Sequence, residues 1–365
     1  MQVPFLLSFF VTLTFTSIEL KAQTVIFPEL TGEALIAALV AEYKTQHVLS
    51  LTQAKDTLYA RIEVREDSVH GIYTDYTLFL PQGQDPSQAL FMGGSGLNLE
   101  HSWPQSKGAG DGRQGQSDMH HLYPSRVVVN SARGSFPFED IKDSDTEKWF
   151  YKSIELTEIP GTLLDLYSES SVGHFEPRES AKGDIARAMF YFYTMYKTDA
   201  DNADPDFFEE QQATLCTWHY ADPADENEMI RTQLISTYQD GKVNPFVLDC
   251  TLAERTYCLN GGECATVPVT QPDLPGIIIN IQLIQRGCSI SLEVEINSPL
   301  KITNSIINSG GQLLYTSDTL LTEGRNNIDF DACDLPQGIY FLNSILRNGN
   351  GTTVKTLKFA ITGQP

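Results

Sequence analysis

The sequence predicts an α+β protein in which a mixed α and β module is followed by a small antiparallel β-sandwich. Of its 365 residues, 41% are hydrophobic and 20% are charged, as expected of a globular protein long enough to bury two cores. Helical and strand-like patterns are interspersed up to residue 248, whereas only strand-like runs follow residue 277. We therefore expect the first module at residues 23–249, a linker at 250–276 and the sandwich at 277–365.

Both kinds of secondary structure are indicated in the first module. Thr31 stands just before the apolar run 34–40, which predicts a helix with an N-cap. Residues 69–80 are rich in β-branched and aromatic side chains and predict a strand. Apolar positions at helical spacing predict a buried helix at 182–193, and a second helix is expected at 223–238.

The linker and the final module differ from the first module in composition. Residues 250–276 combine Asn260, Gly261 and Gly262 with several Thr and Pro residues, which is typical of a loop. The strand-like runs after it are 277–284, 289–296, 312–315, 327–330, 339–346 and 353–360. Short strands separated by glycine-containing turns at this spacing indicate a β-sandwich.

The first 22 residues have the features of a secretory signal peptide. Residues 5–18 are apolar apart from Ser and Thr, and Ala22 is a small residue before a plausible cleavage point. The usual positive charge near the start is missing, so a buried first strand or helix is the alternative. No later stretch reaches the 18 uninterrupted apolar residues expected of a membrane-spanning helix.

The six cysteines predict disulfide bonds. They are Cys216, Cys250, Cys258, Cys264, Cys288 and Cys333. An even number of cysteines in an exported chain favours disulfides, although the sequence leaves the pairing open. Zinc binding by the cluster 250–264 is the alternative, but it lacks both a Cys-x2-Cys pair and a neighbouring His.

The formal net charge of −22 restricts the function classes. Proteins that coat nucleic acid bind phosphates through many Lys and Arg side chains, so this balance argues against tight coating of a duplex. A hydrolase needs only a locally positive cleft and a divalent cation, and an acidic surface keeps an exported enzyme soluble.

Residues that can carry chemistry are concentrated in three blocks. The first, 98–106, contains the adjacent pair Glu100 and His101. Neighbouring side chains on a strand face opposite ways, so a bend is needed for both to serve one site, and Pro104 makes a bend plausible. The second block, 117–125, contains two more histidines, and the third, 129–134, contains Asn130.

These residue types suit hydrolysis of a phosphodiester. A neutral imidazole can deprotonate water near pH 7, which is a role for His101. A carboxylate and an amide oxygen can hold a hard divalent ion that neutralises charge on the phosphate and on the leaving oxygen. Glu100 and Asn130 supply these oxygens, although Asn130 could instead cap a helix.

In these blocks the sequence resembles the bacterial endonuclease I family of extracellular and periplasmic nucleases. The matching segments occur in the family's order between residues 30 and 248: 98–106, 117–125, 129–134, 175–187, 218–219 and 244–247. The resemblance implies a ββα-metal nuclease domain, in which a hairpin and a helix hold one divalent ion. By position it makes His101 the general base and makes Glu100 and Asn130 the ligands of Mg²⁺, with Mn²⁺ or Ca²⁺ as other candidates.

The resemblance also implies an arginine that binds the scissile phosphate or the product. Relatives place it shortly before a Ser-Asp-Leu-His-type block, whereas here Gln116 stands close to that place. Arg113 is therefore the predicted counterpart, with Arg133 and Arg126 as alternatives.

Other polar and aromatic residues of the matching blocks are expected to be structural. His120 and His121 are predicted to bridge the hairpin and the helix by hydrogen bonds, and Asp118 to orient a neighbour. Trp103 and Trp218 are expected in the core. A scaffold of ion pairs is expected among Glu176, Arg178, Lys182, Asp184 and Arg187.

The final module resembles the C-terminal sorting domain of type IX secretion, through residues 335–341 and 353–359. A sandwich that binds substrate or cell wall is the alternative. Together these resemblances imply a secreted monomer that contacts the secretion machinery. They also imply that it hydrolyses DNA, with RNA as a second substrate, and that it has little sequence specificity.

Two other classes of function compete with this interpretation. One is a secreted nucleic-acid-binding or adhesion module that has lost catalysis, which the acidic balance and the shifted arginine favour. The other is a metal-dependent phosphodiesterase that acts on a small substrate or a lipid head group.

Overall fold

The computed structural model describes residues 25–65, 67–258, 262, 264, 278–286, 288–308, 313–348 and 351–361. The predicted signal segment 1–22 lies outside the described residues. Helices and antiparallel sheets are both present, which confirms the α+β class. The helices are α1 (Gly32–Tyr43), α2 (Leu51–Thr57), α3 (Pro86–Phe91), α4 (Val127–Arg133), α5 (Glu179–Ala203), α6 (Phe207–Ala221), α7 (Glu226–Ser236), α8 (Pro245–Leu248) and α9 (Thr251–Thr256).

The strands of the first module form three small sheets. They are β1 (Val64–Arg65), β2 (Ser68–His70), β3 (Thr77–Phe79), β4 (Leu97–His101), β5 (Leu122–Arg126), β6 (Lys148–Tyr151), β7 (Ile154–Leu156), β8 (Ser168–Ser171) and β9 (His174–Glu176). The sheet orders are β1-β2-β3, β4-β5 and β7-β6-β8-β9. Phe150 of β6 and Phe175 of β9 are buried in the main core, which contains side chains of most of the helices.

Helix α5 is the centre of that core and extends beyond the predicted range 182–193. Side chains on all of its faces are buried, including Ile185, Tyr191 and Phe192. A helix that is apolar all round lies inside a core rather than at its surface. Trp103 stacks on Phe192 with 4.9 Å between ring centroids, and Trp218 is 1% exposed, so both tryptophans are core residues as expected.

Strands β4 and β5 pair as a two-stranded antiparallel sheet, and α4 begins at the residue after β5. Glu100 lies opposite Tyr123 in this pairing. The amide of Val127 donates to the carbonyl of Gly96 at 3.0 Å, which ties the start of α4 to the start of β4. Asn130 lies inside α4, and Arg126 occupies the N-cap position. The alternative in which Asn130 caps a helix is therefore wrong.

The single strand predicted at 69–80 is two strands, β2 and β3, joined by a turn. The turn is closed by the amide of Gly71, which donates to Tyr76 O at 2.8 Å, and by the amide of Asp75, which donates to Gly71 O at 3.0 Å. Asp75 has a φ of +52°, a conformation that Asp tolerates better than most residues. The turn brings Tyr73 into the core, where it is fully buried.

The first module continues past the predicted boundary at 249. Helix α9, at the start of the expected linker, buries Leu252 and Ala253 in the same core as α5. The disulfide Cys216–Cys258 joins α6 to the second residue after α9, and a further disulfide is Cys250–Cys264. The apolar side chains of α9 were too few to predict a helix without this neighbouring core.

The last described residues form the expected antiparallel β-sandwich. Its strands are β10 (Ile278–Arg286), β11 (Ser289–Ile296), β12 (Leu300–Asn308), β13 (Leu313–Leu321), β14 (Gly324–Asp331), β15 (Gly338–Asn348) and β16 (Gly351–Ile361). One sheet has the order β10-β11-β14 and the other β13-β12-β15-β16. Alternate side chains such as Ile290, Leu292 and Ile302 fill the space between them. The sequence missed β12, because its alternation is interrupted by Asn304.

All six cysteines are in disulfides, and the third bond, Cys288–Cys333, lies within the sandwich. The Cα atoms of the three pairs are 5.6, 5.9 and 4.8 Å apart. Pairing of every thiol leaves none to bind zinc, so the disulfide interpretation is confirmed for this chain.

Candidate active site

His101 is the last residue of β4, where the strand ends and the loop to β5 begins. Its Nε2 lies 2.9 Å from the carbonyl oxygen of Gln116. Because a carbonyl only accepts, Nε2 donates and Nδ1 keeps its lone pair. Nδ1 lies 3.5 Å from the side-chain amide nitrogen of the exposed Gln105. The ring is thus oriented with its basic nitrogen, Nδ1, toward Gln105.

The loop that supplies the Gln116 carbonyl is held against α5. A Cβ at Gly115 would lie 2.8 Å from Cε2 of Phe192, so only glycine lets the loop approach this closely. The carbonyl of Gly115 accepts from His121 Nε2 at 2.6 Å. This contact fixes the turn at Gln114–Ser117 and, through it, the carbonyl that orients His101.

Burial decides the protonation state of His101. The side chain is 9% exposed, and its removal from water lowers its pKa from 6.5 to about 4, against the opposing effect of the Gln116 carbonyl. The imidazole is therefore neutral at physiological pH, which is the form that accepts a proton.

Glu100 precedes His101 in β4 and is buried, with one donor and one cation against the same oxygen. Tyr73 donates its hydroxyl to Oε1 at 2.8 Å. Arg133 Nε lies 3.1 Å from the same oxygen, outside hydrogen-bonding geometry, so that contact is an ion pair alone. Burial raises the pKa of Glu100 from 4.5 to about 7, and Arg133 and Tyr73 lower it less than burial raises it.

Asn130 of α4 is held against β4 at Leu99, the residue before Glu100. Its Nδ2 donates to the carbonyl oxygen of Leu99 at 3.0 Å, which leaves Oδ1 turned away from the strand. The amide of Leu99 donates to Asn98 Oδ1 at 2.8 Å. Glu100 and His101 are thus consecutive on β4, and Asn130 of α4 contacts the carbonyl of the residue before them, Leu99.

The oxygens of Glu100 and Asn130 fit a hard divalent cation in kind. Glu100 Oε2 takes no hydrogen bond from the described residues, and burial is the largest cause of the raised pKa of this carboxyl group. Nowhere in the described ranges are three His, Cys, Asp or Glu side chains grouped to hold a metal ion. The candidate set is one carboxylate and one amide, which suits an ion that keeps most of its waters.

The three candidate arginines occupy different environments. Arg113 lies on the loop before Gln116, half-exposed, and its guanidinium forms an ion pair with Asp199 of α5. Arg133 is fully buried behind Glu100, where its Nη2 donates to Ser102 O at 2.7 Å. Arg126 lies over the ring of Tyr76, 5.6 Å from its centroid. The side chain of Arg113 is 38% exposed, as a phosphate contact requires, whereas that of Arg133 is fully buried.

The two neighbouring histidines have structural partners. His120 Nε2 donates to Lys242 O at 3.0 Å and the ring packs on Tyr191. His121 binds Gly115 as described above, and burial lowers the pKa of both rings, to about 4 for His120 and about 3 for His121. Asp118 accepts from the hydroxyls of Tyr191 and Tyr196, at 2.9 and 2.8 Å. It therefore orients neighbours, as expected.

The expected ion-pair scaffold forms with one exception. Lys182 pairs with Glu176 at 2.7 Å, and Arg187 pairs with Glu228 at 2.6 Å. Arg178 donates instead to the carbonyl of Ile72 at 2.9 Å. Tyr73 is the site residue that sequence reasoning missed, because it lies 27 residues before Glu100 and nothing in its local pattern marks it.

Two known proteins are similar to part of this chain. Both are named extracellular ribonuclease. That of Bacillus subtilis (strain 168) is 31% identical over 161 residues, 41% of this chain and 50% of that protein. That of Bacillus amyloliquefaciens is 31% identical over 166 residues, with the same shares of each chain. The chain thus spans about half the length of these relatives.

Likeness to solved structures is weak. Dimeric latent PorU from Porphyromonas gingivalis aligns with 23% of this chain and 9% of its own, at 16% identity and a TM-score of 0.21, too low to carry an argument. Residues 289–360 match the secretion system C-terminal sorting domain, which makes this a secreted or cell-surface protein. Every helix in the described ranges is too short or too polar to cross a membrane. Residues 31–250, more than half of the chain, match Endonuclease I, and the protein therefore belongs to the Endonuclease I family.

Proposed function

We propose that this protein is a secreted endonuclease that hydrolyses phosphodiester bonds of DNA and RNA with little sequence specificity. In this proposal His101 is the general base, and Glu100 and Asn130 hold one divalent cation. The family membership supports a nuclease, and RNA is included because the two curated relatives are named ribonucleases.

The orientation of His101 carries the proposal. Its Nε2 is engaged by the Gln116 carbonyl at 2.9 Å, so the free lone pair is on Nδ1, near the exposed Gln105. In the proposed reaction Nδ1 takes a proton from the attacking water. The positive charge that then develops on the ring is stabilised by the Gln116 carbonyl, which already accepts from the other nitrogen.

Glu100 and Asn130 are proposed to hold Mg²⁺, with Mn²⁺ or Ca²⁺ as alternatives. When bound, such an ion neutralises charge on the phosphate and on the leaving oxygen. The protein's part is to present Oε2 of Glu100 and Oδ1 of Asn130. Tyr73 and Arg133 engage the other oxygen of Glu100, and Leu99 fixes the amide of Asn130.

Arg113 remains the proposed phosphate contact. Its guanidinium is half-exposed on the loop that also carries Gln116, but it pairs with Asp199. A substrate phosphate would therefore have to replace that carboxylate or share the guanidinium with it. Asp199→Asn should strengthen substrate binding if Arg113 has this role, because it removes the competing charge.

Cleavage of plasmid and of total RNA tests the proposal. Purified protein with Mg²⁺ is expected to nick and linearise plasmid and to degrade RNA, and EDTA is expected to stop both. His101→Ala should lower turnover by about 100-fold or more. His174→Ala is the matched control, because His174 is half-exposed on β9 and pairs with Glu139. Full activity of His101→Ala would show that His101 is not the general base. Binding of nucleic acid by the unmutated protein without cleavage would favour an inactive binding module.

A further inference from the structure

A cation and an exposed aromatic ring lie side by side at the open edge of β4, outside the residues assigned to catalysis. Lys55 of α2 donates from Nζ to Asn98 Oδ1 at 3.3 Å. The same Nζ lies 5.8 Å from the ring centroid of Phe91, the last residue of α3. We call Lys55, Phe91, Met92 and Asn98 the edge surface.

Lys55, like Arg126, is a cation near the candidate site that pairs with no carboxylate of the described residues. Arg113, Lys107 and Arg133 are each in an ion pair. No carboxylate in the described part of the chain lies within ion-pair distance of Lys55, although Asp56 and Asp85 are near enough to raise its pKa against the larger effect of burial. Partial burial lowers the pKa of Lys55, as expected of an ammonium group without a counter-ion. In a protein of net charge −22, a lysine without an ion-pair partner provides a local positive charge that attracts anions.

The aromatic part of the edge surface is held outward by the backbone. Phe91 is 39% exposed and Met92 is 55% exposed. Gly96 donates its amide to Phe91 O at 3.1 Å, and a Cβ at Gly96 would clash with the backbone of Leu90. The end of α3 is therefore packed against the start of β4, and the side chains of its last residue, Phe91, and of the next residue, Met92, are exposed to solvent.

The edge surface is continuous with the candidate active site through one residue, Leu99. Its amide donates to Asn98 Oδ1, the atom that also accepts from Lys55. Its carbonyl accepts from Asn130. Asn98 and Glu100 are two positions apart on one strand, so their side chains share a face and their Cα atoms are about 7 Å apart. Lys55 is therefore placed about one nucleotide away from the proposed cation ligands.

We propose that the edge surface binds the nucleotide next to the scissile phosphate, with Lys55 on its phosphate and its base stacked on Phe91. This rests on the proposed function and adds to it a preference for single-stranded or locally unpaired nucleic acid. A base can stack on a side chain only when it is free of its own duplex neighbours. Stacking also tolerates any base, because every base has a π-face, which agrees with low sequence specificity.

Binding in a cleavage-deficient background tests this inference apart from the proposed function. With His101→Ala as parent, a fluorescent single-stranded oligonucleotide and its duplex are titrated at several salt concentrations. Phe91→Ala should weaken single-strand binding about tenfold and duplex binding much less. Lys55→Gln should make the slope of log affinity against log salt concentration less steep, by about the contribution of one phosphate contact. Phe91→Tyr, which keeps the ring, should bind as the parent does.

Lys152→Gln is the matched control for Lys55. Lys152 is also without an ion pair among the described residues and lies 5.2 Å from the centroid of one aromatic ring, Tyr151, on the β6–β7 turn. It should leave the salt slope unchanged. Equal losses of affinity for single strand and duplex in Phe91→Ala, or an unchanged salt slope in Lys55→Gln, would overturn the proposed role of the edge surface. Absence of cleavage by the unmutated protein, with these binding differences intact, would instead overturn the proposed function alone.

Discussion

Removal of the Tyr73 hydroxyl should weaken cation binding at Glu100 in a pH-dependent way. Tyr73→Phe deletes the donor that lies 2.8 Å from Oε1 and keeps the ring, which packs on Phe175 at 4.8 Å. A hydrogen bond to a charged group contributes about 1.5–3 kcal/mol, and about 1.4 kcal/mol corresponds to one pKa unit. The pKa of Glu100, now about 7, should therefore rise by about one to two units.

At pH 7 this change should lower the apparent affinity for Mn²⁺ by about tenfold or more, the size usual for groups that support a metal ligand. Calorimetric titration with Mn²⁺ at pH 7 and pH 9 measures it. The defect should shrink at pH 9, because more of Glu100 is then ionised in the variant. Tyr191→Phe is the control, since it deletes an equally buried hydroxyl bonded to Asp118 at 2.9 Å. An unchanged affinity at pH 7, or the same defect at both pH values, would refute the reasoning.

Three further predictions follow from burial, charge and covalent links. Arg133→Met leaves the Glu100 carboxylate buried without its counter-charge, so chemical denaturation should show a loss of about 3–5 kcal/mol above pH 7 and a smaller loss at pH 5, where Glu100 is protonated. The pKa of Glu100 is raised to about 7, so the folded state binds more protons than the unfolded state between pH 4.5 and 7. Because a protonated Glu100 cannot bind Mg²⁺, the rise in Tm caused by Mg²⁺ should be complete above pH 7 and should be lost as the pH falls below 7. A rise in Tm that is the same at every pH would contradict Glu100 as a ligand. Replacing Cys288 and Cys333 by Ser should lower the stability of the sandwich by about 2–4 kcal/mol and leave plasmid cleavage unchanged, with a loss of cleavage as the contrary result.

Local patterns along the chain were enough to predict the α+β class and the sandwich, and they also indicated the residues of β4 and α4 that we propose as the site. Period-two and helical patterns depend on near neighbours only, which is why β11 and the buried centre of α5 were predicted and the turn at 71–76 was not. The blocks around Glu100, His101 and Asn130 could be identified because the residue types themselves indicate the chemistry. Arg113 was chosen by its place in the sequence, and its partner Asp199 lies 86 residues away.

Only the tertiary structure decided which groups surround these residues. Tyr73, Gln116 and Lys55 approach β4 from a turn, a loop and a helix that no local pattern connects to it. The cysteine pairs, separated by 14 to 45 residues, were open for the same reason. Burial is a property of the assembled core, so the lowered pKa of His101 and the raised pKa of Glu100 arise only when α5, the hairpin and α4 exclude water around them.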